Sequence, residues 1–520
     1  MSNNYKSITS QDARKLPILM QSVFIGTLAG GVVVLYRLIL TIAESYAFSM
    51  YDYVAGHVQL IPILFLGLIL AGLLLSYLTK RNRMISGSGI PQIKGILMGY
   101  FKSNWLSTLI CKFVGGTLAI LGGLSLGREG PSIQLGASLA EGIGNKTAHS
   151  RMEKKILIAS GASAGLAAAF NAPLAGVVFA LEEIFKYFSP MILLATTGAA
   201  VAADFVSKNF FGLNPVFQFE VTTLLGLKEY WLLIPLGIIL GVLGALYNSV
   251  LLGTQKIYGK ARFLTENNRI VVPFLIAGIF GLAFPYVLGG GHKIFEFLEP
   301  ETGLTFLAVL LILKFLFSMI SFGSGAPGGI FFPLLVLGAT IGAIFAKFSI
   351  LFLDLSPSLF YNIIILAMAG LFAAIVRAPI TGIVLIMEMT GSLSHMLSLT
   401  IVSMIAFIVA DRLKSPPIYD ALLDNLALQH KHVDEEEHTH KIIVELVVQH
   451  ESAFENKAVK EIGWPKKSLL VSVKRGEKEL IPKGDTKLMV GDYLFVLTDI
   501  NSEWCSREEL ETLNKGQSEK

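Results

Sequence analysis

Charge is scarce in this chain. Asp, Glu, Lys and Arg make up 15% of its 520 residues, and 53% are hydrophobic. An ordinary soluble domain is about 25% charged. A string of soluble domains is therefore excluded, and the composition points to an integral membrane protein. Cysteine is nearly absent, with only Cys111 and Cys505, so there is neither a disulfide framework nor a cysteine-built metal centre. A basic domain is also missing. Residues 426–520 hold 14 Lys+Arg and 18 Asp+Glu of the 42 and 38 in the chain, and no segment concentrates the positive charge that nucleic acid requires. No nucleophile, base and orienting group can be placed together along the sequence, which leaves enzyme chemistry and an organic cofactor without support.

Long apolar stretches are what the chain does have. After the polar residues Met1 to Lys15, an uncharged run extends from Leu16 to Tyr36. It is too long for the apolar part of a signal peptide and is read as a retained transmembrane helix. Further uncharged runs cover 60–79, 156–181, 231–255, 270–292, 315–346, 355–376 and 389–410, each of a length that suits a bilayer. The expected fold is an all-α polytopic membrane domain over residues 1–425, followed by a charged linker at 426–440, a small α/β domain at 441–500 and a polar tail at 501–520. Lys6, Arg14 and Lys15 before the first span agree with a cytoplasmic N-terminus.

Glycine and proline cluster inside the apolar region at Gly87-Ser88-Gly89-Ile90-Pro91, at 127–131 and at 323–333. Broken helices survive at membrane depth only when they are buried in protein or line a polar cavity. Two of these breaks match each other. Residues 127–137 and 329–339 are identical at five positions (Gly127/Gly329, Pro131/Pro333, Leu135/Leu337, Gly136/Gly338, Ala137/Ala339) at an offset of 202. A second pair follows in the same order: Ala172, Pro173, Gly176, Val178 and Glu182 match Ala378, Pro379, Gly382, Val384 and Glu388 at an offset of 206. The chain therefore holds two repeats, about 12–205 and 225–412. Paired Gly/Pro-interrupted segments at corresponding positions of two halves point to the substrate site of a transporter. In each copy a helix starts just past the break. Its free N–H groups and the positive end of its dipole suit an anion, without a full charge that would hold the anion too tightly.

Carboxylates lie at these breaks. An acid facing the bilayer centre costs about 2.5–3.5 kcal/mol on insertion scales, so acids retained there are usually functional. Glu129 is matched in the repeat by Phe331 and Glu183 by Met389, while Glu182 and Glu388 match each other. The unmatched pair, Glu129 and Glu183, is assigned the chemistry. The matched pair is read as structural, bonded to backbone N–H groups or to a neighbouring basic residue.

The motifs Gly87-Ser88-Gly89-Ile90-Pro91, Gly127-Arg128-Glu129-Gly130-Pro131 and Gly329-Ile330-Phe331-Phe332-Pro333, with Tyr419 after the last apolar run and the stretch 164–176 between them, resemble the CLC family of chloride channels and proton-coupled chloride antiporters. The resemblance covers about residues 12–425. It implies a homodimer in the plasma membrane with one anion pathway per subunit, built from two halves of inverted topology. It also implies that Ser88 and Tyr419 supply hydroxyl donors to a central anion and that Ile330 and Phe331 supply backbone N–H donors. Glu129 then matches the external gating glutamate and Glu183 the internal proton-transfer glutamate, an acid that resembles the exchangers and is replaced in the pure channels. Gln92 and Phe332 depart from the family pattern, with an acid and a small residue more usual there.

In the tail, Ile442–Val448, Leu469–Val473 and Tyr493–Leu497 alternate as strands, separated by turns at 463–465 and 483–485. The stretches 468–476, 480–486 and 491–496 resemble the C-terminal domain of regulators of potassium conductance. Such domains are cytoplasmic and dimeric, and some bind ligands such as cyclic dinucleotides. Lys474, Arg475, Lys478 and Lys483 are the residues available to a phosphate. The run 430–440 holds four His and four acids without the flanking pattern that fixes a metal geometry, and is read as linker.

The expected function is proton-coupled chloride antiport across the plasma membrane, with the lipid bilayer, chloride and protons as partners and a cytosolic ligand as regulator. The alternative is a passive anion channel of the same fold. A cation carrier is disfavoured by the absence of a Thr-Val-Gly-Tyr-Gly filter and by the sign of the helix dipoles.

Overall fold

The computed structural model describes residues 2–499 apart from 187, 220, 222, 262, 263, 431–440, 451, 466, 467 and 477. Two compact units are present, Met1–Gln429 and His430–Lys520. Most of the linker expected at 426–440, Cys505 and the polar tail 501–520 lie outside the described residues.

The first unit is built from helices: α1 (Ser2–Ala55), α2 (Ile61–Arg81), α3 (Ile90–Met98), α4 (Trp105–Leu121), α5 (Glu129–Thr147), α6 (Arg151–Phe170), α7 (Pro173–Phe179), α8 (Pro190–Phe211), α9 (Leu233–Lys260), α10 (Val271–Ala283), α11 (Leu304–Gly323), α12 (Phe331–Phe352), α13 (Phe360–Val376), α14 (Pro379–Thr390), α15 (Met396–Arg412) and α16 (Ile418–His430). Among the described residues seven helices are long and apolar enough to cross a membrane, and the chain is a multi-pass membrane protein. Of the apolar stretch of α13, 94% is buried, against 22% for that of α2. A helix apolar on every side belongs either in a core or against lipid, and these two take opposite places.

Several helices differ from the uncharged runs, and each for a physical reason. The first span does not stop at Tyr36. α1 continues through Arg37, whose charge is absorbed by Ala168 O at 2.5 Å, Asn171 Oδ1 at 2.9 Å and Ser207 Oγ at 2.9 Å. The run 156–181 is two helices, because Asn171 takes a left-handed conformation (φ 54°) and the chain restarts at Pro173. The run 315–346 likewise contains the end of α11 and the start of α12. α4, α5 and α8 carry Lys112, Glu129 and Asp204 and so were not found as uncharged runs.

Equivalent residues of the two halves pair across a local two-fold axis. Gly127 and Gly329 form an antiparallel bridge, each N–H donating to the other's carbonyl at 2.7 Å. Glu182 accepts from Ile380 N (3.2 Å), Thr381 N (2.7 Å) and Thr381 Oγ1 (2.7 Å) at the start of α14. Glu388 accepts from Leu174 N (3.0 Å) and Ala175 N (2.8 Å) at the start of α7. Each half thus caps a helix of the other, and both acids bond backbone N–H groups as expected. A further pair had no sequence signal beyond its offset of 202. Lys112 Nζ donates to Ile85 O (2.9 Å) and Gly87 O (2.6 Å), while Lys314 Nζ donates to Val287 O (2.9 Å) and Gly289 O (2.8 Å). The acceptors are carbonyls of turns in which Gly87 and Gly289 both have positive φ, 63° and 57°.

Contacts along α1 order the interior by depth. Ile18 packs with Ala140 and Ile156, near the end of α5 and the start of α6. Arg37 reaches the end of α6, and Glu44 lines a cavity with Arg128 at the start of α5. α3 runs in the same sense as α5, since Gly130 abuts Ser88 before α3 and Ser103 beyond it donates to Glu141. The face at the end of α5 carries Lys15, Lys146, Arg151, Lys154 and Lys155 and is the basic face; Glu44 lies toward the opposite one.

The second unit contains β1 (Lys441–Val447), β2 (Leu469–Arg475), β3 (Lys478–Leu480) and β4 (Tyr493–Asp499) in one antiparallel sheet of order β1-β4-β2-β3. Alternation puts Leu446, Leu470, Val473, Leu494 and Val496 on one side, over Phe454 and Leu488.

Candidate anion and proton sites

A buried helix start needs acceptors for its free N–H groups. α4 and α6 obtain them from the side chains of Asn104 and Ser150, and α7 and α14 from Glu388 and Glu182. α5 and α12 have no capping side chain, and the first N–H of α3 has only Ser88 Oγ, at 3.3 Å, although Ile90, Glu129 and Phe331 at their first positions are fully buried. These three ends meet. A Cβ on Gly130 would stand 2.8 Å from Ser88 O and 2.9 Å from Ser88 Cβ, so only glycine lets α5 begin this close to Ser88. α12 begins two residues after Gly329, which is bonded to Gly127 just ahead of α5.

Ser88, Ile330 and Phe331 are thereby brought to one place. Ser88 Oγ lies 3.3 Å from Ile90 N. The Phe331 ring is turned into the core against Phe170 and Phe372, with centroids at 5.2 and 4.8 Å, which leaves its backbone as its polar contribution. Tyr419, on α16, belongs to the same core, is fully buried, and has a hydroxyl without a hydrogen-bond partner. An orphaned buried donor costs about 1–3 kcal/mol and calls for an acceptor. Uncapped N-termini and a free hydroxyl make an environment suited to a small anion.

Glu129 stands at these helix starts. It is fully buried, no side chain donates a hydrogen bond to either carboxylate oxygen, and the backbone N–H of Phe332 on α12 faces it. Its nearest cation is Arg128, with Nε 3.9 Å from Oε1. An ionised carboxylate here occupies the field of the α12 N-terminus that an anion would otherwise take; a protonated one has no reason to remain.

Glu183 lies in the π-helical turn Ala180–Phe185 that continues α7 and is 2% exposed, so its charge needs a partner within the protein. Lys94 Nζ supplies it at 2.7 Å. The same amine donates to Asp420, which also accepts from Lys186. This alternation of two acids and two lysines was missed in the sequence. Lys94 falls six residues after Ser88 and Asp420 directly follows Tyr419, so the residues flanking the proposed anion ligands carried the only hint. An open cavity of about 600 Å³ lined by Glu182, Glu183, Lys186 and Arg377 reaches the network. Lys94 lies along α3 from Ser88, in the direction of the basic face, so Glu183 and Glu129 flank the helix starts at different depths.

The two departures from the family pattern have local roles. Gln92 Nε2 donates to Ser86 O at 2.6 Å, and Phe332 stacks on His292 with centroids 4.1 Å apart. In the tail, Arg475 is already engaged: Nε and Nη2 donate to Asp492 at 2.8 Å each, and Nη2 also to Lys487 O at 2.8 Å. Burial alone would raise the Asp492 carboxyl, but Arg475 and the Met489 N–H outweigh it and hold it below the ordinary carboxylate range. Lys474 and Lys478 are exposed on the β2–β3 hairpin and Lys483 in the following turn.

Comparison with known proteins identifies the family and the fold. Residues 67–411 match the family described as voltage gated chloride channel, and residues 443–503 match the TrkA-C domain. The chain is 33% identical over 438 residues to the H(+)/Cl(-) exchange transporter ClcA of Vibrio parahaemolyticus, covering 80% of this chain and 91% of that protein. It is 38% identical over 355 residues to ClcA of Vibrio vulnificus, covering 65% and 74%. Among solved structures, a slow cyanobacterial Cl-/H+ antiporter superposes with a TM-score of 0.75 at 30% identity, over 80% of this chain and 99% of that one. A CLC-type fluoride/proton antiporter gives 0.64 at 25% identity, over 78% and 97%.

Proposed function

The chain belongs to the voltage gated chloride channel family, and from that premise we propose that it exchanges chloride for protons across the plasma membrane. Chloride is held at the starts of α3, α5 and α12 by N–H groups of Ile330 and Phe331 and by the hydroxyls of Ser88 and Tyr419. Partial charges hold it, so it can leave. Glu129 is the gate: ionised, it competes for the N-terminus of α12; protonated, it gives way to the anion. Glu183 takes protons from the 600 Å³ cavity, with Lys94 compensating its charge between transfers. The observation that carries the reading is this second buried carboxylate. A passive pore needs a gate, but it has no use for Glu183 held in a chain of ion pairs between the cavity and the anion ligands. In Glu183→Gln, chloride flux should persist while proton flux vanishes; equal loss of both would contradict the role.

The basic face is cytoplasmic in this account, in line with the positive-inside rule, and the C-terminal domain is a cytoplasmic one. The protein is a homodimer. α7 has seven residues and α14 twelve, too few to span, and their ends carry exposed Leu174 and Ile380. Irregular backbone at membrane depth requires protein cover, and a second copy provides it. Single-molecule photobleaching in liposomes tests this, with two steps expected and one step contradicting it. The TrkA-C domain is the regulatory input, with Lys474, Lys478 and Lys483 available to a nucleotide phosphate, such as that of a cyclic dinucleotide, and Arg475 available only if Asp492 releases it. Calorimetric titration of the full chain with a nucleotide panel should give saturable heat; none would remove the idea.

A further inference from the structure

Glu129 also borders open space on the side away from Glu183. A small cavity of about 10 Å³ is lined by Glu44, Arg128, Glu129, His292 and Phe332, among others. Measured to the path of a water's centre, roughly 10–15 Å³ is the least that holds one water, which also needs two to four polar partners. This cavity has them. Arg128 Nε, both oxygens of Glu129 and Nε2 of His292 have no hydrogen-bonding side chain, while His292 Nδ1 faces Glu44. Three neighbouring side chains thus leave four polar atoms unmatched around a space that admits one water.

The position of His292 is fixed from two sides. Its ring stacks on Phe332 at 4.1 Å and 21°, and Phe332 is the second residue of α12, beside the carboxylate of Glu129. Nδ1 lies 3.8 Å from Glu44 Oε2, close enough for an ion pair once the imidazole is protonated. Charged and titratable groups face the ring from each packed element: Glu44 on α1, Arg128 and Glu129 at the start of α5, and Lys314 on α11. Burial, Arg128 and Lys314 disfavour a positive charge on the ring and Glu44 favours one, so a proton on the ring is held loosely and can be passed on.

We propose that Glu44 and His292 form a proton relay that serves Glu129 from the face opposite the basic one, through a single water in this cavity. A proton from solution binds the Glu44–His292 pair. His292 passes it from a ring nitrogen to the water, and the water passes one of its protons to a Glu129 oxygen. The imidazole and the water are left neutral, and Glu129 becomes neutral and free to move. Exit runs in reverse. His292 is a positioning and relay residue with no contact to the anion. The inference rests on the exchange reading above.

The test is proton flux through the full-length protein reconstituted in one orientation, with pH varied on the Glu44 side and fixed on the other. At about pH 7.5, where water alone is a poor donor, His292→Phe should lower the flux at least tenfold, the lower end of what a positioned acid–base group supplies being about a hundredfold. As pH on that side falls, hydronium supplies protons without the relay and should bring variant and wild type together. Imidazole added on the Glu44 side should restore His292→Gly, and imidazole on the basic side should not. Glu44→Gln should show the same alkaline loss. A His292→Phe flux that follows the wild type at every pH, or is reduced equally at every pH, or a His292→Gly flux that imidazole does not rescue, would overturn the relay while leaving exchange intact. Chloride movement without protons in the wild type would overturn the exchange reading and the relay with it.

Discussion

Replacing Lys94 with methionine isolates the charge that Glu183 depends on. Lys94→Met keeps the length and apolar stem of the side chain and removes the ammonium 2.7 Å from Glu183 Oε1. Glu183 is 2% exposed, so little solvent replaces the lost partner. Removing one member of a buried pair costs about 3–5 kcal/mol when the other stays charged. Asp420 keeps Lys186 and does not share this cost. Each time Glu183 gives up a proton it must pass through the ionised state, now destabilised by at least about 3 kcal/mol, which corresponds to more than a hundredfold at 1.4 kcal/mol per tenfold. Lys186 and water from the cavity offset part of this, so at least a tenfold fall in proton flux is expected. Chloride flux should fall less, because Lys94 does not touch the anion ligands, and Lys94→Arg should retain coupling. Paired chloride-electrode and pH-electrode recordings from liposomes measure both fluxes. A wild-type ratio of protons to chloride in Lys94→Met would show that Glu183 does not depend on this charge.

Other consequences follow from the same contacts. Glu182→Ala and Glu388→Ala should each lower thermal stability in detergent by about 1–2 kcal/mol, the worth of a helix cap, and by similar amounts because the two are symmetric; a loss in one alone would contradict the two-fold arrangement. Gly130→Ala forces a Cβ to within 2.8 Å of Ser88 O and should weaken chloride binding at least tenfold in calorimetry, whereas Gly31→Ala, with nothing within 4 Å, should not. In the second unit, the Arg475–Asp492 pair holds a carboxyl below its ordinary value. Its stabilisation is therefore complete above that ordinary value and is lost as pH falls through the native one. Unfolding followed by the fluorescence of Trp464, stacked on Phe454, should show this acid loss, and Arg475→Met should lack it.

The break motifs and the repeat were legible in the sequence because both rest on residues with narrow backbone roles. Gly127, Gly329, Pro131 and Pro333 announce helix starts whatever surrounds them, and the offset that aligns them also predicts which acids stand alone. Helix boundaries were less legible. A charge ends a span only if the fold cannot satisfy it, and Arg37, Lys112 and Lys314 are satisfied by carbonyls far away in sequence. The ion-pair chain was hidden for the same reason, since Lys94 and Asp420 are 326 residues apart. His292 looked like the end of an apolar run. Its relation to Glu129 depends on Phe332, whose bulk reads in sequence as a misfit and in the fold as the surface the imidazole stacks on.

Proton movement driven by chloride separates exchange from passive conduction. Purified protein in liposomes is given a chloride gradient with no initial pH gradient, and valinomycin with matched potassium holds the voltage near zero. Exchange predicts that protons move opposite to chloride and build a pH gradient from none, and that Glu183→Gln abolishes this while chloride still flows. Dissipation of the chloride gradient with no proton movement would contradict the account and leave a passive anion pathway gated by Glu129.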